Sequence, residues 1–239
     1  MPKFFVDEID GTEVSITGMD ARHISLSLRM QVGEALTLSA YGVDYACQIL
    51  SLTPKEVRVK VLSSMPCTAE PSIELTLYQA IPKSDKLVTI IQKVIELGAV
   101  RIVPVLTQRC ISRPSTEDFD RKLSRLQKIA KSAAKQSGRG IIPQVDRLHT
   151  ITDMCTELEK AERSFLLYEG GGKRFSALEL DECRQISLVV GSEGGFTSGE
   201  VWQIERAGAV SVWLGERILR CETAPLAAVS VVMYKTGNL

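Results

Sequence analysis

Two short stretches near the carboxyl terminus combine glycines with charged side chains. The first, GSEGGF at residues 191–196, follows an apolar run and precedes the helix-starting pattern TSGE. Its glycine spacing matches neither the P-loop, which needs Gly-Lys-Ser/Thr, nor the GxGxxG dinucleotide pattern. Glu193, in the middle of the turn, would also repel a pyrophosphate. The stretch therefore predicts either a ligand without negative charge at this point or a purely structural turn, in which Glu193 accepts bonds from backbone N–H groups.

The second stretch, LGERILRCETA at residues 214–224, also follows a short strand and also precedes a helix. It places Glu216, Arg217, Arg220 and Glu222 within seven residues. Such charges are unfavourable between a strand and an apolar helix unless they are exposed or paired. Turns at the carboxyl ends of neighbouring parallel strands line one crevice. The two stretches together predict a site for a ligand that is neutral or positive near its reacting centre, as a sulfonium is.

Strand and helix patterns alternate around these stretches, from residue 73 to the end. Hydrophobic patterning predicts strands at IELTLYQAI, VRIVPVLT, RSFLLYEGG, QISLVVG and VSVWLG. It predicts helices at SDKLVTIIQKVIELGA, TEDFDRKLSRLQKIAKSAAKQSG, ITDMCTELEKA, TSGEVWQIERAG and APLAAVSVVMYK. Thr197 and Glu200 form a capping box that opens the fourth of these helices. The alternation predicts an α/β domain with a parallel sheet and helices on both faces.

The first 64 residues have a different pattern. Short β-rich segments, EVSI, ALTLSA, YACQIL and EVRVKVL, surround one helical segment, ARHISLSLRM, and YGVD forms a turn. Short strands at such close spacing predict a small β-barrel. SSMPCTAEPS, residues 63–72, has the composition of a linker.

Composition narrows the class of protein. The chain has 239 residues, 44% of them hydrophobic, with a formal net charge of zero, and no apolar run approaches the ~18 residues of a membrane span. The acidic N-terminus has no secretory h-region, so we expect a cytoplasmic protein. Six scattered cysteines without a CxxC pair, and two distant histidines, predict reduced thiols and no zinc site. Residues 83–139 carry 13 Lys/Arg against 5 Asp/Glu, which indicates either a polyanionic partner or well-solvated helix faces.

The pairing of GSEGGF-T-x-x-E with LG-x-R-I-L-R-x-E-T-A resembles the SPOUT methyltransferases, and within them the 16S rRNA (uracil-N3)-methyltransferases of the RsmE family. HISLSLRM, VGEAL, IIQKVIELGAVRIVPVLTQRC and KIAKSAAKQSGR are similar to further segments of that family. The resemblance spans roughly residues 20–239. It implies a PUA-like RNA-binding barrel over residues 1–70 and a SPOUT domain with a C-terminal trefoil knot over residues 71–239.

The resemblance also implies a function. S-adenosylmethionine would bind in the knot, held largely by backbone groups, and a homodimer would methylate N3 of uridine in small-subunit 16S rRNA. By position, the cofactor residues would lie in three knot loops and at their edges: Leu167, Tyr168, Glu169, Gly170, Val190, Gly191, Glu193, Gly195, Leu214, Gly215, Ile218, Leu219, Thr223 and Ala224. Three positions depart from the family pattern, which usually has Pro at Ser192, often Thr at Cys221, and Thr or Ala at Pro225.

Methylation of uridine N3 needs a base, because this nitrogen carries a proton and is a poor nucleophile until the proton leaves. Neither loop contains a histidine, so Glu222 is the candidate base; a structural pairing with Arg217 or Arg220 is the alternative. Arg220 is positioned to stabilise charge on the uracil carbonyl oxygens. The target must be unpaired or flipped out, since N3 lies on the Watson–Crick edge.

Candidate RNA-binding cations follow from the basic segment and the barrel. Lys128, Lys131 and Lys135 share roughly one face of the long helix, and Arg139 follows its end. The complete set is Arg29, Lys83, Lys86, Lys128, Lys131, Lys135 and Arg139. For Arg29, placed in the barrel helix, a solvated surface role is an equal alternative.

Three other functions compete with this reading. A SPOUT ribose 2′-O-methyltransferase would typically have Ser, Leu and Asn where Thr223-Ala224-Pro225-Leu226 begins the last helix. A non-catalytic ribosome-assembly protein would not need to retain Arg220, Glu222 and Thr223. A nicotinamide-dependent oxidoreductase is disfavoured by the glycine spacing and by the lack of the acidic residue expected ~20 residues further on.

Overall fold

The computed structural model describes residues 1–180 and 182–239 and divides them into two compact units. The first consists of Met1–Glu70 together with Ala134–Ile141, and the second of Pro71–Ala133 together with Ile142–Leu239. No helix in the described chain is both long and apolar enough to span a membrane. All six cysteines are free thiols, and all but Cys155 are buried, as the sequence predicted.

The first unit is a five-stranded sheet that curls around its own core. Its strands are β1 Lys3–Phe5, β2 Glu13–Thr17, β3 Ala35–Ala40, β4 Val43–Leu52 and β5 Glu56–Pro66. The order is β1-β3-β4-β5-β2, with β1 parallel to β3 and the other pairs antiparallel. Every strand contributes to one buried cluster that contains Phe4, Ile16, Leu38, Ile49 and Val59. The predicted barrel is therefore a curled half-barrel, and β1 and β2 form its edges.

Two predicted boundaries in this unit are wrong. The expected linker begins later, because β5 continues through Pro66, which is paired with Val43 of β4. The expected helix over residues 21–30 is shorter: α1 spans Gly18–Arg22 and a π-helical turn spans His23–Ser27. Arg29 thus lies beyond the helix, exposed and in the left-handed region with φ of 50°.

The segment 134–141 joins the first unit through a buried ion pair. Arg139, only 2% exposed, donates from Nη2 to Glu70 Oε2 at 2.7 Å. The other oxygen of Glu70 accepts the backbone N–H groups of Gly140 and Ile141, at 2.8 and 3.0 Å. Lys3 Nζ donates to Gly138 O at 2.6 Å. This segment is therefore bound to the curled sheet by charged and backbone groups together.

The second unit is an eight-stranded parallel sheet covered by helices. Its strands are β6 Glu74–Ala80, β7 Arg101–Leu106, β8 Gln144–Val145, β9 His149–Thr150, β10 Arg163–Leu167, β11 Lys173–Arg174, β12 Gln185–Val190 and β13 Val210–Trp213. Its helices are α2 Lys86–Glu96, α3 Thr116–Gln136, α4 Ile151–Leu158, α5 Ser198–Arg206 and α6 Thr223–Lys235. The strand order is β11-β13-β10-β12-β6-β7-β8, and β9 pairs with β7. Only the last residues of α3 belong to the first unit.

Side-chain alternation places helices on both faces of this sheet. Tyr78, Val103, Leu166 and Val189 pack with residues of α4 and α5 in one cluster. Their strand neighbours, including the buried Leu77 and Leu188, point to the other face. There α2 packs with α6, and its predicted stripe is buried: Leu87, Ile90, Ile91, Val94 and Ile95.

The carboxyl-terminal part of the chain inserts a strand between two earlier strands of this sheet. β13 lies between β10 and β11, which both precede it in the sequence. The following helix, α6, packs against α2, β12 and β6 rather than at an edge. Because all these strands are parallel, the turns after β10, β12 and β13 lie close together at the carboxyl ends of the strands.

Candidate active site

Two adjoining cavities lie at the carboxyl ends of β10, β12 and β13. The first, about 330 Å³, is lined by the turn after β10 and the loop after β13, with Tyr168 and Trp213 among its walls. The second, about 400 Å³, is lined by the same two segments and also by the turn after β12 and by Lys86. Both are lined by Leu167, Glu169, Ile218, Leu219 and Ala224. The predicted crevice therefore exists and has the size of a small-molecule site.

The glycine turn after β12 is held from several sides. Gly195 has φ of 64°, and a Cβ there would lie 2.9 Å from Glu169 Oε1. Gln79, completely buried at the end of β6, donates from Nε2 to Gly191 O at 3.2 Å. α5 begins just after the turn, with the predicted capping box between Thr197 and Glu200. The turn is thus rigidly placed beside the second cavity.

The charges of this region are organised by Lys86. Its Nζ lies 2.9 Å from Glu193 Oε1 and 3.0 Å from Glu222 Oε2, and 32% of its side chain is exposed. Glu193 also accepts the backbone N–H of Lys83 at 3.2 Å. The bond from Lys83 agrees with the structural reading of Glu193, whereas its ion pair with Lys86 was not foreseen. The partner of Glu222 is Lys86, not Arg217 or Arg220 as the sequence alternative had it.

These contacts shift the ionisation of the cluster. The hydrogen bond from Lys86 lowers the pKa of Glu222. For Glu193, burial acts to raise the pKa, but bonds from Lys86 and from backbone N–H groups outweigh it and the pKa is lowered. In return, Glu193 and Glu222 raise the pKa of Lys86. The cluster of Lys86, Glu193 and Glu222 therefore carries two carboxylates and one ammonium at neutral pH, a net charge of about −1.

Cys221 completes the cluster. Burial and the two carboxylates raise the pKa of its thiol to about 12, so it stays protonated. Its Sγ donates to Glu222 Oε2 at 3.3 Å. Where the family often has Thr, this chain thus retains a hydrogen-bond donor to Glu222.

The structure brings together nearly all the predicted cofactor residues. Every one except Thr223 lines one of the two cavities. Arg220 lines the second cavity, whereas Glu222 lines neither cavity and is linked to the second by its ion pair with Lys86. The sequence analysis missed Trp213, Phe196 and Cys221 as lining residues.

Two positions that depart from the family pattern also have a definite place in the structure. Pro225 lies in the first turn of α6, as expected, and Ser192 is buried with no hydrogen-bond partner for its Oγ in the described chain.

The predicted RNA-binding cations divide into two groups. Lys83, Lys128, Lys131 and Arg29 are exposed. The other three have partners within the protein that the sequence did not indicate. Lys86 is bound between two carboxylates, Lys135 pairs with Asp20 at 3.2 Å, and Arg139 is buried against Glu70. Lys135 also lies 3.7 Å above the ring of Phe4, which further ties it to the curled sheet.

A second charged network, not foreseen from the sequence, lies at the opposite end of the same sheet. Arg101 is bonded to both Asp146 and Glu157, and Tyr78 donates to Glu157 Oε2 at 2.7 Å. His149 Nε2 lies 3.1 Å from the other oxygen of Glu157. The bonds from Arg101, helped by Tyr78, lower the pKa of Glu157 to about 2. No group of side chains in the described part of the chain could hold a metal ion.

Comparison with known proteins assigns the chain to a family. An RNA methyltransferase domain model matches residues 69–233. The ribosomal RNA small subunit methyltransferase E of Bacillus subtilis is 34% identical, over 94% of this chain and 91% of that protein. The Mycobacterium bovis protein of the same name is 30% identical, over 98% and 92%.

A solved structure agrees with these sequence matches. The crystal structure of a ribosomal RNA small subunit methyltransferase E from Neisseria gonorrhoeae, bound to S-adenosyl methionine, has a TM-score of 0.88 at 30% identity. The match covers 99% of this chain and 98% of that one. The SPOUT-like fold expected from the sequence is thereby confirmed. The chain belongs to the family of ribosomal RNA small subunit methyltransferase E, within the RNA methyltransferase domain family.

Proposed function

We propose that this protein transfers a methyl group from S-adenosylmethionine to N3 of a uridine in the RNA of the small ribosomal subunit, in the cytoplasm. The observation that carries the proposal is the pair of adjoining cavities at the carboxyl ends of β10, β12 and β13. The Neisseria gonorrhoeae relative, which is similar over nearly the whole chain, was crystallised with this cofactor.

The residues present fit such a cofactor. Glycines at 170, 171, 191, 195 and 215 leave backbone groups accessible along both cavities. At Gly195 a side chain would fill the space next to Glu169. The carboxylates of Glu169 and Glu193 favour a positive centre, and the aromatic walls of the first cavity, Tyr168 and Trp213, suit an adenosine. Leu167, Leu214, Ile218 and Leu219 supply apolar contacts.

When bound, S-adenosylmethionine supplies a methyl group already activated by its sulfonium. The main work of the chain is then placement, which can contribute ~7–11 kcal/mol of the barrier. The glycine turn and the loop after β13 both line the second cavity, so we place the reacting uracil there.

Glu222 is the base that we propose for the N3 proton. It is ionised at neutral pH and can accept a proton, and its lowered pKa makes it a weaker base than an unpaired glutamate. Lys86 would stay in place when Glu222 becomes protonated, because Glu193 binds the same ammonium at 2.9 Å. Arg220, exposed at the cavity, is available to stabilise negative charge on a uracil carbonyl oxygen.

The exposed cations of α3 support an RNA partner. Arg125, Lys128 and Lys131 are exposed, and no described carboxylate lies within ion-pair distance of them. We propose that they contact RNA phosphates, together with Lys83 and with Arg29 of the curled sheet. Replacing Lys128 and Lys131 by Ala should flatten the log–log salt dependence of RNA binding by about 1.4–1.8, at 0.7–0.9 per phosphate. An unchanged slope would show that this helix face is only solvated.

We also propose that the protein is a homodimer. α6 is apolar around its whole circumference, which is typical of a helix buried on all sides. Yet Tyr234 is 73% exposed, and Leu226, Ala227 and Val231 are only partly buried within one subunit. Light scattering should give twice the mass of 26.3 kDa at micromolar concentration. Tyr234→Lys should weaken the dimer, whereas Trp202→Lys, at another exposed aromatic on α5, should not.

The central test is methyl transfer from labelled donor to small subunits that lack the modification, followed by digestion to nucleosides. The proposal expects label in N3-methyluridine. Label on ribose would instead indicate 2′-O chemistry. Calorimetry with S-adenosylmethionine checks the remaining alternative, because a protein that only assists ribosome assembly has no need to bind the donor.

A further inference from the structure

The loop that follows β7, residues 107–113, is attached directly to the glycine turn. Gln108 N donates to Glu200 Oε1 at 2.7 Å, and Arg109 Nη1 donates to Gly194 O at 3.1 Å. The backbones of Gly194 and Arg109 also approach each other closely. A Cβ added to Gly194 would lie only 2.9 Å from Arg109 O. The loop and the turn beside the second cavity therefore form one rigid structure, although they come from different strands.

Glu200 is the link between these two segments. It is only 1% exposed, yet both of its oxygens are occupied. Oε2 accepts the backbone N–H of Thr197 at 2.8 Å and its hydroxyl at 3.1 Å, while Oε1 accepts Gln108 N. The carboxylate that caps α5 thus also fixes the loop after β7.

Six of the thirteen cations of the basic segment, residues 83–139, are held in ion pairs, and Arg109 is not among them. Lys86, Lys93, Arg101, Arg121, Lys135 and Arg139 of that segment form ion pairs. Arg109 is exposed, and no carboxylate of residues 1–180 or 182–239 lies within ion-pair distance of it. Its one bond to Gly194 O orients the guanidinium, and its remaining N–H donors are available for a planar, charged acceptor.

The neighbouring arginine has a different role. Arg113 Nη1 donates to Thr107 O at 2.8 Å and to Gln108 O at 3.3 Å. Arg113 therefore stabilises the loop from within. As a result Arg109 projects from a loop that is rigid on both sides, which lowers the entropy lost when it binds a ligand.

The strand order places this loop on the acceptor side of the site. The cavities lie over β13, β10 and β12, and the next strands in order are β6 and β7. Lys83 follows β6 and Arg109 follows β7, so exposed positive charge continues outward from the second cavity. We propose that Arg109 binds an RNA backbone phosphate adjacent to the acceptor nucleotide, and that Glu200 is its positioning residue. This inference rests on the proposed function.

The experiment compares Arg109→Ala with Arg163→Ala. Arg163 is a matched control: it is exposed, it also bonds a backbone carbonyl, and it begins β10 at the opposite end of the strands. With a 16S rRNA transcript, Arg109→Ala should weaken binding about tenfold and flatten the log–log salt slope by about 0.7–0.9. Donor affinity in calorimetry should be unchanged. Arg163→Ala should behave as the unaltered protein.

A conservative variant separates charge from geometry. Arg109→Lys should restore the salt slope, because the charge remains, but only part of the affinity, because an ammonium lacks the planar fork of donors with which a guanidinium binds a phosphate. Equal loss of RNA affinity in Arg109→Ala and Arg163→Ala would overturn the inference, as would loss of donor binding in Arg109→Ala. Failure of the proposed function is a separate result: the unaltered protein would then transfer no methyl group to the RNA.

Discussion

The two ends of the parallel sheet carry charged clusters of similar composition but different construction. At the amino end, Arg101 binds Asp146 and Glu157 through several bonds, and Tyr78 and His149 bond the same glutamate. At the carboxyl end, a single ammonium, that of Lys86, makes one bond to each of two carboxylates at the edge of a cavity.

The difference separates a structural cluster from a reactive one. Asp146 is 8% exposed, so the amino-end network holds a charge that has no alternative partner if Arg101 is lost. Glu193 and Glu222 keep about a quarter of their side-chain surface exposed, so water or a ligand can replace Lys86 there. A cluster of titratable groups is therefore not enough to indicate an active site. A cluster beside a cavity, whose groups can exchange partners, does indicate one.

The largest expected effect is on stability. Arg101→Met should lower the free energy of unfolding by roughly 2–4 kcal/mol, somewhat less than for a fully buried pair because Arg101 is partly exposed. Lys86→Met, the equivalent change at the other end, should alter stability little but impair turnover. Urea denaturation of both variants measures this directly. If Lys86→Met were as destabilising as Arg101→Met, the distinction between the two clusters would be lost.

The next effect is on chemistry. Glu222→Gln should lower the single-turnover rate at least ~10²-fold with little change in donor affinity, because the amide cannot accept the N3 proton. Glu159→Gln, at an exposed position beyond α4, is the control and should react normally. A near-normal rate for Glu222→Gln would reduce Glu222 to an ion-pair partner of Lys86. Loss of donor binding as well would mean that the loop after β13 had collapsed.

A smaller effect is expected at Cys221, whose thiol donates to Glu222. Cys221→Ala removes this donor and should change the single-turnover rate by about two- to fivefold, as expected for a weak hydrogen bond of ~0.5–1 kcal/mol. Cys221→Thr, which introduces a residue often found in the family, supplies a hydroxyl donor and should stay close to the unaltered rate. Equal rates for Ala and Thr would show that the thiol only fills space.

Much of this arrangement could be predicted from sequence because it depends on local pattern. The buried stripe of α2 and the capping box of α5 follow from residue spacing, and so do the turns after parallel strands that meet at one edge. What sequence could not show is which charges meet. Lys86 lies more than a hundred residues from Glu193 and Glu222, and Arg139 lies 69 residues from Glu70.

The unforeseen partners of residues in the predicted RNA surface have the same origin. Helical periodicity places Lys128, Lys131 and Lys135 on neighbouring positions, but it does not show that the chain changes from one compact unit to the other near residue 134. Lys135 and Arg139 lie beyond that point and pair with residues of the curled sheet. Arg29 was misplaced because the helix before it ends in a π-helical turn. Long-range pairing decided the cases of Lys135 and Arg139, and no local pattern encodes it.

Acid stability provides a further test, which distinguishes the two clusters by pH. In the folded protein, bonds from Arg101 and Tyr78 lower the pKa of Glu157 from its ordinary value of 4.5 to about 2. A carboxyl whose pKa is lower in the folded state binds protons more readily when unfolded. Its stabilising contribution is therefore complete above about pH 5 and is lost as the pH falls toward 2.

Glu157→Gln should accordingly flatten the fall in urea midpoint between pH 5 and pH 2. Glu222→Gln should flatten it less, because one exposed ammonium supplies most of the shift in that pKa and water competes for it. Equal flattening by the two variants would show that the cluster beside the cavity is as firmly paired as the one at the amino end, and that its partners do not exchange readily.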